Sequence, residues 1–254
     1  MAKSTASKTG LFIAFALFYI SLTSLAAQEV PPYLEDLVDV YGSSFTIVDQ
    51  NTIRWNDGEI SVLDDGKEKT VEEMLVSADI EDQFFMPYRT GPLDPPASAL
   101  EDPGRIRNDG FFKKLYGSTP EEVESNLVPL EWMPCHTDTV LLFNKRHGAY
   151  ESLKRVSDEL EQLDEELLKY VTETAGTYSW RVIKDTERLS VHSFGIAIDI
   201  NVSYSAYWKW DSEYRYRNSI PYEIVRIFEK NGFIWGGKWY HYDTMHFEYR
   251  PELL

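Results

Sequence analysis

One charged side chain constrains this sequence more than any other feature: Asp199, set in the run Ile196-Ala197-Ile198-Asp199-Ile200. The run is otherwise apolar, as expected of a core strand, and a carboxylate buried there without a partner costs several kcal/mol. Asp199 therefore requires a cation or strong hydrogen-bond donors. Charge alone leaves two solutions open, an arginine such as Arg181 or Arg188, or a metal ion shared with imidazoles.

Two neighbouring clusters move the balance towards the metal. His192 lies in Ser190-Val-His192-Ser-Phe-Gly195, just before the run, and Asp243-Thr-Met-His246-Phe-Glu248 follows downstream. A His, Asp, His set leaves a fourth tetrahedral position open for water, as catalytic rather than structural zinc does. Zinc lowers the pKa of such a water from about 15.7 towards about 7, so the expected nucleophile exists near neutrality. A carboxylate must then accept the proton and pass it to the leaving amine, and Asp243 is assigned that role. Glu248 competes for it. On a strand Glu248 shares a face with His246, so it is equally suited to orienting that imidazole from behind. His241, between Tyr240 and Tyr242, is read as a packed or hydrogen-bonding residue, and His136 and His147 as surface histidines.

Around these clusters the chain alternates strands and helices without a regular βαβ rhythm, which predicts an α+β fold with an antiparallel sheet. Short runs at 45–48, 52–55 and 60–63 are separated by turn-formers and predict a β-meander. Thr70 with Glu73 forms a capping box, and Thr119-Pro120-Glu121-Glu122 is a second helix start. The stretch 88–110, rich in proline, reads as an irregular surface connection. Residues 139–143 predict a buried strand. Leu153, Val156, Leu160, Leu163 and Leu167 recur at helical spacing and predict a helix of about five turns. Tyr178, Trp180 and Val182 alternate as on a strand that turns Arg181 to the opposite face. Ser219 is expected to cap a helix ended by Asn231-Gly232.

The first residues carry Lys3 and Lys8, an apolar run at 11–22, and small residues ending in Ala26-Ala27. That order predicts a secretory signal peptide over 1–26, with a hydrophobic run short of the roughly 20 residues of a spanning helix. The expected product is secreted to the periplasm or cell envelope, with no membrane anchor left after cleavage. The formal net charge is −17, and loss of two lysines with no acid takes it to −19. So acidic a chain is a poor partner for nucleic acid. Cys135 is the only cysteine, which excludes an intrachain disulfide and predicts a buried, structural thiol. Nothing in the sequence specifies an oligomeric state.

The pattern SVHSFGIAID, followed by GFIWGGKWYHYDTMHFEY, resembles the zinc peptidases of family M15, the D-alanyl-D-alanine carboxypeptidases and L-Ala-D-Glu endopeptidases that include the VanY-like enzymes. The likeness covers roughly residues 175–251. It implies a small antiparallel sheet flanked by helices, of the hedgehog and DD-peptidase kind, as a core over 151–254, preceded by an α+β extension over 27–150. It further implies zinc held by His192, Asp199 and His246, with Asp243 as catalytic acid and base. An arginine upstream of the first motif would steady the oxyanion or the substrate carboxylate. Arg181 is the first choice and Arg188 the second, while Ser190 and Trp239 are expected at the substrate. The implied substrate is the stem peptide of bacterial peptidoglycan, cut as by a D-Ala-D-Ala carboxypeptidase. The alternatives are L-Ala-D-Glu cleavage, or a zinc- or wall-binding module without turnover.

Overall fold

The structure is a computed structural model that describes residues 31–92, 100–184 and 186–254. The segment 1–26, expected from the sequence to be a signal peptide, lies outside the described residues. After helix α1 (Pro32–Tyr41), strands β1 (Phe45–Asp49), β2 (Thr52–Trp55) and β3 (Ile60–Val62) form an antiparallel meander. Helix α2 (Val71–Ser77) starts at Thr70, whose side chain and that of Glu73 satisfy each other's backbone N–H in a capping box. Asn108 accepts from Phe111 N and so starts α3 (Asp109–Tyr116), which buries Phe111, Phe112, Leu115 and Tyr116. Thr119 starts α4 (Pro120–Glu124) in the same way.

Strands β4 (Leu127–Glu131) and β5 (Val140–Asn144) pair antiparallel, and α5 (Ala149–Leu160) follows. The helix stops well short of the five turns that its leucine spacing predicts. Glu159, Glu161 and Asp164 crowd its C-terminal end, where the macrodipole disfavours negative charge, and its last turn has no basic residue. Chain direction changes there before the single turn α6 (Glu165–Leu168).

Strands β6 (Thr174–Gly176) and β7 (Ala197–Ile200) precede α7 (Tyr222–Lys230), β8 (Phe233–Trp235) and β9 (His246–Tyr249). The third sheet has the order β6-β7-β9-β8, with every pairing antiparallel. Helix α7 covers it through Phe228, whose ring stacks on Phe247 at 3.8 Å. Helix α5 backs α7 through Lys230–Glu159 at 2.9 Å and Arg155–Asn231 at 3.1 Å. The molecule is α+β with small antiparallel sheets and flanking helices. One buried cluster runs from Leu34 and Leu37 in α1, through α3, to Ile198, Phe228 and Phe247. From Pro31 on, the chain forms one unit. Among the described residues, no helix is long and apolar enough to cross a membrane.

Four local expectations need correction. Residues 178–182 are not a strand, because their backbone bonds to the 190–193 segment instead of to a ladder. The helix α7 begins after Pro221 rather than at Ser219, proline being well suited to the start of a helix. β5 alternates exposed and buried positions, so it is covered on one face only. Cys135 is exposed rather than buried, at a turn after Met133 where its N–H donates to Glu161.

Candidate metal centre

The site is built on one cross-strand pair. β7 and β9 lie in a register that sets Asp199 directly opposite His246, and such partners hold their Cβ atoms about 4.5–5.5 Å apart on one face. His192 comes from the 3-10 turn Val191–Phe194 that leads into β7. Gly195 ends that turn with a positive φ of 65°, and its N–H donates to His192 O at 3.0 Å. A Cβ at Gly195 would stand 2.5 Å from Leu127 Cδ2, so glycine here serves both the left-handed turn and the packing of β4. Asn144, at the end of β5, holds the turn through its side chain to Phe194 O and its N–H to Gly195 O.

These elements bring the three expected ligands together. His192 Nε2 lies 3.2 Å from Asp199 Oδ2 and 3.2 Å from His246 Nδ1, and His246 Nδ1 lies 2.8 Å from Asp199 Oδ1. Ligands about 2.0–2.1 Å from a tetrahedral ion are about 3.3 Å apart, so the spacing fits the edge of a zinc tetrahedron. The outer nitrogens fix which inner ones face the centre. His192 Nδ1 is 2.5 Å from Thr177 O, which only an N–H can satisfy, leaving Nε2 as acceptor. His246 Nε2 is 3.2 Å from Glu248 Oε1, leaving Nδ1 towards the centre. The other oxygen of Glu248 is 3.6 Å from Arg250, which is itself held by Glu252 and by Gly104 O.

Electrostatics carries the same demand for positive charge. Burial favours a neutral His246 ring, yet hydrogen bonds to Asp199 and Glu248 push its pKa up to about 10. Burial would raise Asp199, but the two imidazoles beside it hold it far below the usual carboxylate range. A proton on His246 here meets a need that a divalent cation would meet more fully. Among the described residues no arginine bonds to Asp199, whose partners are His192 and His246, which disposes of the ion-pair solution open at the sequence level.

Asp243 sits beside this trio, held by its N–H to Gly236 O at 3.0 Å and by a bridge to Tyr207. A Cβ at Gly236 would stand 2.6 Å from Asp243 O, so the glycine lets the two backbones meet. Burial, with the charge of Asp199 adding and that of His246 opposing, pushes Asp243 up to about 6. Its Oδ1 is buried and makes no hydrogen bond among the described residues. Trp239 covers His246 at 5.6 Å between ring centroids.

The remaining expected residues are placed less uniformly. Arg181 is exposed, its backbone clamped by Ser193 Oγ and by Ser190 N. Ser190 is buried, and its hydroxyl makes no cap to the following turn. Arg188 spends its guanidinium on the carbonyls of Leu75 and Arg105, so it braces the fold. His241 bonds to Asp102 at 2.6 Å and packs on Trp208. His136 is exposed, but His147 is partly packed, edge-on to Tyr41 and Tyr116, and is not a plain surface residue.

Sequence reasoning missed the segment 101–107, which the proline-rich composition marked as surface. Asp102, Gly104, Ile106 and Arg107 are buried there. Trp239 Nε1 bonds to Pro103 O, Tyr240 N to Glu101 O, and Arg107 to Leu189 O. The available signal was Ile106, an apolar residue just ahead of the Asn108 cap; the two arginines beside it read as solvated.

Residues 184–249 match the family model described as D-alanyl-D-alanine carboxypeptidase. No match was found among curated proteins or among solved structures. The matched stretch contains His192, Asp199, His246, Asp243 and Glu248, and over it the chain is similar to the M15 family of VanY-like peptidases.

Proposed function

We propose that this protein is a secreted, zinc-dependent peptidase acting on the stem peptide of bacterial peptidoglycan, as a D-alanyl-D-alanine carboxypeptidase. The observation that carries the reading is the trio of donor atoms at 2.8–3.2 Å with Asp243 beside it. His192 Nε2, Asp199 and His246 Nδ1 are the groups that would hold the ion. Zinc bound there supplies a Lewis acid that makes water nucleophilic near neutral pH and polarises a carbonyl.

The chain's own groups do the rest. The buried, unbonded Oδ1 of Asp243 takes the proton from the attacking water and returns it to the leaving amine. A carboxyl raised towards neutrality suits both halves of that exchange. Thr177 and Glu248 keep the two imidazoles in the tautomers that face inward. Arg181, exposed on the loop that Ser193 clamps to the first motif, stabilises the negative charge that develops on the carbonyl oxygen.

The test is product mass from a defined muropeptide with a pentapeptide stem. Loss of one terminal alanine, abolished by a chelator and restored by zinc, supports the reading. Cleavage between L-Ala and D-Glu would keep the peptidase and change the bond. Tight wall binding without any product would replace it with a binding module.

A further inference from the structure

Four arginines outside the trio crowd this end of the molecule, and three of them are committed to the fold. Arg107 bonds to Leu189 O and Asp109, Arg188 to two carbonyls, and Arg250 to Glu252 and Gly104 O. Arg105 differs. Its guanidinium lies over the face of Trp239, 5.8 Å from the ring centroid, and Trp239 in turn covers His246. Among the described residues its side chain has one hydrogen-bond partner, Asp102 at 2.8 Å through Nη1, and it remains 31% exposed. The other N–H groups of the fork are left for a ligand.

The backbone that carries Arg105 is fixed to the catalytic segment. Asp102 accepts from both His241 N and His241 Nδ1, at 2.9 and 2.6 Å. Pro103 O, Gly104 O and Arg105 O accept from Trp239, Arg250 and Arg188. A guanidinium stacked on an indole, braced by one carboxylate and carried on so anchored a loop is ordered before substrate arrives. Tyr207, which bridges to Asp243, feels the charges of both Arg105 and Arg181. Asp199, Asp243 and Glu248 lie close by in a chain of net charge −17, and a cation at the rim that is not spent on the fold draws in an anionic substrate.

We propose that Arg105, which lies outside the family match, is a substrate-binding residue that takes the C-terminal carboxylate of the peptide at the rim of the metal centre. The inference rests on the peptidase reading for its substrate, and Arg181 remains the group assigned to the developing oxyanion. A planar fork with free N–H edges matches a carboxylate in a bidentate way that a lysine does not.

The experiment compares a stem pentapeptide with a free C-terminus and its C-terminal amide, using the full-length wild type, Arg105→Gln and Arg105→Lys. Wild type is expected to prefer the acid. Arg105→Gln is expected to lose that preference through a KM for the acid raised about ten- to hundredfold, with kcat little changed, while Arg105→Lys retains part of it. A wild type indifferent to amidation, or an Arg105→Gln enzyme with the wild-type acid-to-amide ratio, overturns the proposal.

A binding measurement separates this inference from the reading beneath it. Calorimetry with acetyl-D-alanine and its amide, on chelator-treated protein, removes any metal as a competing carboxylate ligand. Binding of the acid by wild type that is lost in Arg105→Gln supports the proposal even if no peptide is ever hydrolysed, in which case the peptidase reading falls alone. Equal binding by both proteins overturns it even if hydrolysis is normal. Matched thermal melting of the variants excludes misfolding as the cause.

Discussion

At the scale of single residues, the site turns on where charge is left without a partner. Asp243 Oδ1 is buried and unbonded, so Asp243→Asn is expected to keep its metal and its fold while losing about 10²–10⁴ in kcat. Normal turnover in that variant would remove Asp243 from the proton exchange. Its carboxyl is raised to about 6, so the base form is present above that pH and is lost as pH falls through it. A cation in the trio favours the ionised form, which places the acid limb of the rate profile at or below pH 6. That limb should disappear in the residual activity of Asp243→Asn, and its persistence would assign it to another group. Asp199, His192 and His246 were legible in the sequence because motif spacing and one acid in an apolar run are local signals. The carbonyl of Thr177 that orients His192, and Arg105 over the face of Trp239, were not. Both depend on segments that meet only after folding.

Elements were legible where local chemistry decides them and misread where tertiary bonds override it. The capping box at Thr70, the cap at Thr119 and the meander follow from side chains within a few residues of each other. The 178–182 segment has strand-like alternation, yet Ser193 and Ser190 bind its backbone. Leucine spacing ran past the true end of α5 because periodicity does not register the acids gathered there. Two substitutions test this level. Gly195→Ala forces a side chain into the left-handed region and against Leu127, and should cost about 1–2 kcal/mol or more, read as a lower denaturant midpoint. A neutral result would mean that the turn before β7 does not need glycine. Asn108→Ala removes the cap of α3, whose side chain also donates to Ala78 O, and should cost about 1 kcal/mol by the same measurement.

On the scale of the whole molecule, residues ahead of the family match help to build the site. Asn144 holds the first motif, the 101–107 segment lines the second, and Tyr41 reaches Glu252 at 2.8 Å. Phe111, Phe112 and Tyr116 lie in the same buried cluster as Phe194 and Phe247. A fragment of residues 151–254 is therefore expected to lack a cooperative thermal transition, because it exposes the apolar face that α3 and β4–β5 cover. A sharp transition in that fragment would show that the remainder is dispensable for folding. All of this serves one centre, two imidazoles and a carboxylate across β7 and β9, and its most direct test is metal content. The full-length protein purified with zinc should hold one equivalent, reduced to background in His192→Ala and in Asp199→Ala. Wild-type protein that binds no zinc, or variants that bind it as well as wild type, would contradict the assignment.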